Sequence, residues 1–195
     1  CGFAGLNVTF PYKIDVMAFL DELSPNARAI GAVNTVVFRN GRRIGHNTDK
    51  WGFEEGFRRN LPDAKMGHVL QIGAGGAGVA VAHALLSLGA ARLTITDTNA
   101  ARAAALVTQL SQNAGAAQDD AIGLDQRSEI APTGVVNATP MGMAKLPGSA
   151  YPVELLHPDL WVADIVYFPL ETELLAAARA AGCRVLLGSG MAVYQ

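Results

Sequence analysis

A glycine-rich turn between a predicted strand and a predicted helix is the part of the sequence most suggestive of chemistry. Residues 69–78 read VLQIGAGGAG, so an apolar strand leads into Gly73-x-Gly75-x-x-Gly78. This spacing lets the backbone approach a pyrophosphate, whose charge the N-terminus of the following helix stabilises. Asp97 ends the next predicted strand, 19 positions after Gly78, where an acidic residue can bind a ribose hydroxyl. The segment predicts a dinucleotide site; the alternative is a turn that only packs a helix on a sheet.

Two charged residues in the first quarter of the sequence could move a proton. Lys13 follows the segment NVTFPY, and we expect it on the first turn of a helix, where amide dipoles disfavour its charge. Asp49 closes the segment HNTD at the end of a predicted hairpin strand. An enzyme that transfers hydride to or from an alcohol carbon needs such a relay at the oxygen. A plain helix N-cap is the alternative for Asp49.

Polar residues at the ends of otherwise apolar strands could bind a polyhydroxylated ligand. The candidates are Thr9, Asn34, Thr35 and Asn47, of which Asn34 in the segment GAVNT is the best. The alternative for each is a hydrogen bond to nearby backbone, which is common for Asn and Thr in turns.

Composition excludes several classes of function. Half of the 195 residues are hydrophobic and the formal net charge is −2, so neither a nucleic-acid nor a membrane partner is expected. The apolar run at 79–88 is too short to cross a bilayer, and we expect a cytoplasmic protein. The four histidines lack the spacing of a metal site, so no metal is expected. Cys1 and Cys183 suggest no disulfide framework.

Periodicity predicts an α/β fold with a doubly wound, Rossmann-like parallel sheet, preceded by part of a smaller α/β substrate domain. The predicted strands of the sheet cover residues 69–72, 93–96, 121–123, 135–137, 162–165 and 184–187, with helices at 76–88, 100–111 and 172–181 and a surface loop at 112–120.

The first sixty residues follow another pattern. It predicts a strand at 5–8, a hairpin of strands 33–38 and 42–45 joined by Asn40-Gly41, and a connector helix at 51–61. The expected organisation is a partial substrate-binding and catalytic domain at 1–61, a dinucleotide-binding domain at 62–187 and the start of a return segment at 188–195. The abrupt start on Cys1 suggests that the substrate domain lacks its N-terminal part.

Motifs in this order resemble the shikimate and quinate dehydrogenase family. They are NVTFPYK (7–13), GAVNT (31–35), NTD (47–49), GAGGAG (73–78), NATPMGM (137–143), DIVYFPLETELL (164–175) and GSGMAVYQ (188–195). The sequence departs from the family pattern in lacking the N-terminal serine motif and the end of the C-terminal helix. It also has Lys50 where glycine is more usual.

The resemblance implies roles for individual residues. Lys13 and Asp49 would form the catalytic dyad, and the hydroxyls and carboxylate of the substrate would contact Thr9, Asn34, Tyr167 and Gln195. The coenzyme would be bound by Gly73, Ala74, Gly75, Gly76, Ala77, Gly78, Asp97, Thr98, Ala138, Thr139, Ile165, Gly188 and Met191.

The resemblance also implies the reaction, which is hydride transfer between NAD and the ring alcohol of shikimate or quinate. NAD is expected in preference to NADP because Asp97-Thr98-Asn99 stands where NADP-dependent relatives have Asn-Arg-Thr. The partner would be a small hydroxylated cyclic carboxylate, and the protein a monomer or homodimer. The alternatives are an enzyme of the methylene-tetrahydrofolate dehydrogenase type and a non-catalytic dinucleotide- or ligand-binding module.

Overall fold

The computed structural model describes residues 2–113 and 118–195. Its elements, in chain order, are β1 (Gly5–Asn7), β2 (Glu22–Leu23), α1 (Pro25–Ile30), β3 (Thr35–Arg39), β4 (Arg42–His46), α2 (Asp49–Asn60), β5 (His68–Ile72), α3 (Gly76–Ser87), β6 (Arg92–Thr96), α4 (Ala100–Asn113), β7 (Gln118–Ile122), β8 (Gly134–Asn137), β9 (Trp161–Asp164), α5 (Glu173–Ala180), β10 (Arg184–Leu186) and α6 (Gly188–Tyr194). Short 3-10 helices cover Asp15–Phe19, Leu124–Glu129 and Val153–Leu155.

The larger sheet has six parallel strands in the order β10-β9-β8-β5-β6-β7, which confirms the doubly wound α/β fold. Its inner strands are buried on both faces, as a parallel sheet with helices on each side requires. The strand order reverses between β5 and β8, and in such sheets ligands bind outside the carboxyl ends of the strands at this point. The glycine loop (residues 73–78) begins there.

The smaller sheet has the order β1-β3-β4-β2. Strands β3 and β4 form the predicted hairpin, and Asn40 and Gly41 both have positive φ, at 53° and 73°. A two-residue turn with positive φ at both positions matches the twist of the flanking strands, which is why Asn-Gly signals a hairpin. The hairpin brings the carboxyl end of β4 to the start of α2.

Two local predictions were wrong. Lys13 lies in a turn before the 3-10 helix that starts at Asp15, and its carbonyl is directed away from that helix, toward the Val33 N–H that donates to it (2.7 Å). The loop expected at 112–120 is shorter: α4 extends through Asn113 and β7 starts at Gln118, where pairing with β6 overrides the polar composition. Residues 114–117 of that predicted loop, and Cys1, lie outside the described residues.

Helix α6 packs against α2 through glycines. A Cβ built on Gly52 would lie 2.7 Å from the Met191 carbonyl oxygen and 2.9 Å from the Gln195 nitrogen, so only glycine fits between the two backbones. One turn further on, a Cβ at Gly56 would be 3.5 Å from its nearest neighbour, an ordinary contact. An adjacent face of α2 anchors in the core, where the rings of Phe57 and Trp161 pack edge to face with centroids 5.0 Å apart. No helix in the described ranges is long and apolar enough to span a membrane.

Gly52 and Gly56 on α2 therefore serve as a test position and a control position for this helix packing. In a helix interior, alanine is favoured over glycine by about 1 kcal/mol, so Gly56→Ala should leave the free energy of unfolding unchanged or raise it. Gly52→Ala gains the same propensity but forces α6 away from α2, at a cost of about 1–3 kcal/mol. We expect Gly52→Ala to be the less stable variant by at least about 1 kcal/mol in urea unfolding. Equal stabilities would show that the two helices do not pack this closely.

Candidate active site

A charged pair joins the turn after β1 to the first turn of α2. Lys13 Nζ donates a hydrogen bond to Asp49 Oδ2 at 2.5 Å. The Asp49 side chain is fully buried, whereas 14% of the Lys13 side chain is exposed. The structure therefore brings together the two residues that the sequence offered as a proton relay, and it leaves only the lysine accessible.

Asn34 holds the other oxygen of Asp49. Its Nδ2 donates to Asp49 Oδ1 (2.9 Å) and to Thr48 Oγ1 (2.8 Å), and its Oδ1 accepts from the Thr48 N–H and the Thr35 hydroxyl. Both amide hydrogens of Asn34 are thus used within the protein. Thr48 is the N-cap of α2 and Asp49 is its first residue, so Asp49 is not the N-cap that was its alternative role. Its carboxylate instead contacts Lys13 and Asn34.

Two further polar residues near the dyad have structural partners. Asn47 Nδ2 donates to the Ala32 carbonyl (3.0 Å), which is the backbone hydrogen bond weighed as the alternative for this residue. Lys50 extends to Glu54 one turn along α2, with Nζ 2.6 Å from Oε1. The cation that departs from the family pattern is therefore neutralised by its own helix.

The glycine loop has the shape of a pyrophosphate site. Gly73 has φ +107°, and a Cβ there would lie 2.7 Å from the Ala138 carbonyl oxygen. Gly75 caps α3 without a side-chain hydrogen bond, so the first N–H groups of the helix remain available to an anion. A Cβ at Gly75 would meet no atom within 4 Å, which shows open space in front of the loop. The residues present therefore fit a dinucleotide.

The loop also lies against the dyad. A Cβ built on Gly76 would be 2.9 Å from Lys13 Cβ, so the lysine packs against the start of α3. Asp97 lies on the other side of the loop: its Oδ2 accepts from the Ala74 N–H (2.7 Å) and its Oδ1 from the Asn99 N–H (2.8 Å). These bonds fix the carboxylate at the edge of the loop. The bond from the Asn99 N–H is also the strand-end turn that is the simpler explanation for an aspartate at this position.

A buried polar network at the ends of β8 and β9 was not predicted as part of the site. Asp164 Oδ1 accepts from Asn137 Nδ2 (3.0 Å) and the Val166 N–H (2.9 Å), and Oδ2 accepts from the Thr172 hydroxyl (2.7 Å). Asn137 Oδ1 in turn accepts from the Thr139 N–H and hydroxyl. The network ties together the loops that carry Ala138, Thr139 and Ile165. Asp164 and Asn137 each follow an apolar strand run, which was the available signal.

Burial dominates the electrostatics of this network. It raises the pKa of Asp164 to about 6, against the three hydrogen bonds, which favour the carboxylate and lower the pKa. The carboxyl is thus partly protonated in mildly acidic solution.

The other predicted site residues lie in different environments. Gly188 is buried where a Cβ would lie 2.5 Å from the Ile165 carbonyl oxygen, so α6 begins directly beside the loop after β9, and Met191 on that helix joins the core. Gln195 packs against Gly52, one turn from Asp49. Thr9 and Tyr167 are exposed, and no hydrogen bond within residues 2–113 and 118–195 joins their side chains to the dyad.

Comparisons with known proteins agree with this geometry. Residues 1–36 match the family model of the shikimate dehydrogenase substrate binding domain. The shikimate dehydrogenase (NADP(+)) of Streptomyces avermitilis is 55% identical over 196 residues, covering 100% of this chain and 67% of the relative. The quinate/shikimate dehydrogenase (NAD(+)) of Corynebacterium glutamicum strain R is 49% identical over 199 residues, covering 100% and 70%. The solved quinate dehydrogenase from Corynebacterium glutamicum in complex with NAD superposes with a TM-score of 0.90 at 48% identity, covering 99% of this chain and 70% of that one.

The raised pKa of Asp164 predicts a pH-dependent stability. Because the folded-state pKa of about 6 exceeds the ordinary aspartate value of 3.8, the stability that Asp164 contributes is present in full well below pH 3.8 and is lost as the pH rises through 6. Asp164→Asn removes this loss. The unfolding free energy of the variant minus that of the parent should therefore rise by roughly 2 kcal/mol between pH 4 and 7.5.

Chemical denaturation at a series of pH values measures this difference. Asp159→Asn changes an exposed carboxyl and serves as the control. Its difference from the parent should stay within about 0.5 kcal/mol across the range. A flat difference for Asp164→Asn as well would mean that the buried carboxyl titrates like an exposed one.

Proposed function

We propose that this chain interconverts the ring alcohol of shikimate or quinate and its ketone, with NAD as the preferred coenzyme. The chain belongs to the shikimate and quinate dehydrogenase family rather than to the methylene-tetrahydrofolate dehydrogenases. The observation that carries the proposal is the Lys13–Asp49 contact directly beside the glycine loop. A non-catalytic module would not need a buried carboxylate paired with an accessible lysine beside a coenzyme site.

Lys13 and Asp49 divide the proton chemistry between them. When bound, the nicotinamide coenzyme accepts or supplies the hydride. Lys13 Nζ is the accessible end of the pair, so we assign to it the direct exchange of a proton with the substrate oxygen. Asp49, fully buried and held by Asn34, orients the lysine and balances its charge as the proton moves.

The substrate would be bound by residues around the dyad. Thr9 and Tyr167 are exposed and Gln195 lies near the first turn of α2, so their side chains are available to the hydroxyls and the carboxylate of the substrate. The amide hydrogens of Asn34 are both used, so its contribution passes through the orientation of Asp49. Substitutions at Thr9, Tyr167 or Gln195 would change how the substrate is oriented, and correct orientation can lower the activation free energy by several kcal/mol.

Coenzyme preference is assigned to Asp97. Relatives of this chain carry names with NAD(+) and with NADP(+), so similarity alone does not decide between the two. A carboxylate at the edge of the glycine loop accepts hydrogen bonds from the 2′-hydroxyl of NAD and repels the 2′-phosphate of NADP. Thr98, next to it, is exposed and would line the same ribose site; Ala77 and its neighbours in the loop would bind the pyrophosphate.

The dyad can be tested by substitutions that keep side-chain size. Lys13→Met and Asp49→Asn should each lower turnover by about a hundredfold or more, the usual scale for acid–base groups. Dinucleotide binding should persist, because within the described residues neither side chain makes a hydrogen bond to the glycine loop. The measurement is steady-state absorbance at 340 nm with shikimate and with quinate, and Lys145→Met, at an exposed lysine, is the control. Near-parental turnover in either dyad variant would remove that residue from the mechanism.

The coenzyme assignment can be tested by binding. We expect the parent to prefer NAD by at least about tenfold, or roughly 1.4 kcal/mol. Asp97→Ala should shrink the preference by weakening NAD binding and relieving repulsion of NADP. Titration calorimetry with both dinucleotides gives the dissociation constants, and Asp125→Ala, at an exposed carboxylate, is the control. Tighter binding of NADP by the parent, or an unchanged ratio in Asp97→Ala, would contradict the assignment.

A further inference from the structure

Gln71 is a fully buried amide on the strand that leads into the glycine loop. Its side chain is 0% exposed, and its neighbours on β5 are Val69, Leu70 and Ile72. An amide buried in an apolar sheet is unfavourable unless its hydrogen bonds are made inside the protein.

The amide bonds to the two ends of the glycine loop. Gln71 Nε2 donates to the Gly73 carbonyl (2.8 Å) and to the Gly78 carbonyl (2.8 Å). Both partners are acceptors, so the nitrogen and not the oxygen must face them. The Oε1 atom is buried and has no hydrogen-bond partner in the structure as described. The residue thus leaves one atom unsatisfied in order to hold two loop carbonyls.

Asp97 holds the same peptide from its other side. The Gly73 carbonyl and the Ala74 N–H belong to one planar peptide unit, whose oxygen and hydrogen point in opposite directions. Gln71 Nε2 donates to the oxygen, and the Ala74 N–H donates to Asp97 Oδ2, with nitrogen and oxygen 2.7 Å apart. A rotation of this peptide therefore breaks both contacts at once.

The third glycine of the loop fits around this arrangement. A Cβ at Gly78 would lie 2.4 Å from the Gly73 carbonyl oxygen and 3.4 Å from Gln71 Nε2. The space of a side chain at position 78 is taken by the carbonyl that Gln71 holds. Strand, loop and helix are therefore joined at the Gln71 amide.

We propose that Gln71 is a positioning residue for the dinucleotide, which acts through the Gly73–Ala74 peptide to set both the glycine loop and the orientation of the Asp97 carboxylate. This inference rests on the proposed dinucleotide-binding function. It assigns coenzyme affinity and coenzyme discrimination to a residue that is not exposed to the coenzyme. Affinity and discrimination are coupled because Gln71 and Asp97 bind the same Gly73–Ala74 peptide unit.

The first test is Gln71→Met, which keeps the length of the side chain and removes the donor. The dissociation constant of NAD should rise about tenfold, and the preference for NAD over NADP should fall because Asp97 is held from one side only. With saturating NAD and substrate, kcat should stay within about twofold of the parent. Thr96→Val is the matched control, since it removes a buried hydroxyl that has no hydrogen-bond partner among the described residues and should leave both dissociation constants unchanged.

A double-mutant cycle separates positioning from general destabilisation. If Gln71 and Asp97 act through one peptide, Gln71→Met should weaken NAD binding by a smaller factor in the Asp97→Ala background than in the parent, by about threefold or more. Equal factors in the two backgrounds would show that the residues act independently and would overturn the proposal.

A measurement on the parent protein does not depend on how the variant folds. The side-chain NH₂ of Gln71 should exchange slowly with solvent in a ¹⁵N spectrum, and its signals should shift when NAD is added. Fast exchange, or no shift at saturating NAD, would contradict the proposed contact. A parent that binds neither dinucleotide would overturn the proposed function, whereas a parent and a Gln71→Met variant with equal affinities for NAD would overturn this inference alone.

Discussion

Burial of the Asp49 carboxylate is the constraint on which the arrangement of the site depends. A buried charge that loses its partner costs about 3–5 kcal/mol, so the fold must supply partners for both oxygens. Lys13 comes from the turn after β1 and Asn34 from the position just before β3, and both contact Asp49 at the first residue of α2. One ionic contact therefore links the small sheet, the hairpin and the connector helix. The same contact leaves the lysine amine as the accessible end of the pair.

The opposite wall of the site follows the same rule with hydrogen bonds in place of an ion pair. Buried polar side chains stand at the carboxyl ends of three adjacent strands: Gln71 on β5, Asn137 on β8 and Asp164 on β9. Each is used to hold loop backbone, and the loops in turn form the crevice where the strand order reverses. Such networks fix a single arrangement when they are satisfied and are costly when they are not. The loops of this crevice are thus held by side chains that are buried beneath it.

Much of the fold could be predicted from local patterns in the sequence. The alternation of short apolar strands and helices specified the parallel sheet, and Asn40-Gly41 specified the hairpin, because both depend on backbone geometry that neighbouring residues impose. Helix α1 was missed although Ser24, Pro25 and Gly31 have the residue types of its N-cap, first turn and C-cap. At six residues it is too short for periodicity to show. The turn at Lys13 was mistaken for a helix because the N–H that donates to the Lys13 carbonyl belongs to Val33, twenty residues away in the sequence.

The sequence by itself determined the fold class, the glycine loop and the identity of the charged residues, since these depend on periodicity and on residue types at fixed spacing. Only the tertiary structure decided which polar groups meet. Lys13 and Asp49 are separated by 36 residues, Ala74 and Asp97 by 23, and Asn137 and Asp164 by 27. Strand order and helix packing set these contacts. The physical reason is that a buried polar group takes its partner from whichever backbone or side chain the packing brings within about 3 Å, and distance along the chain does not specify that choice.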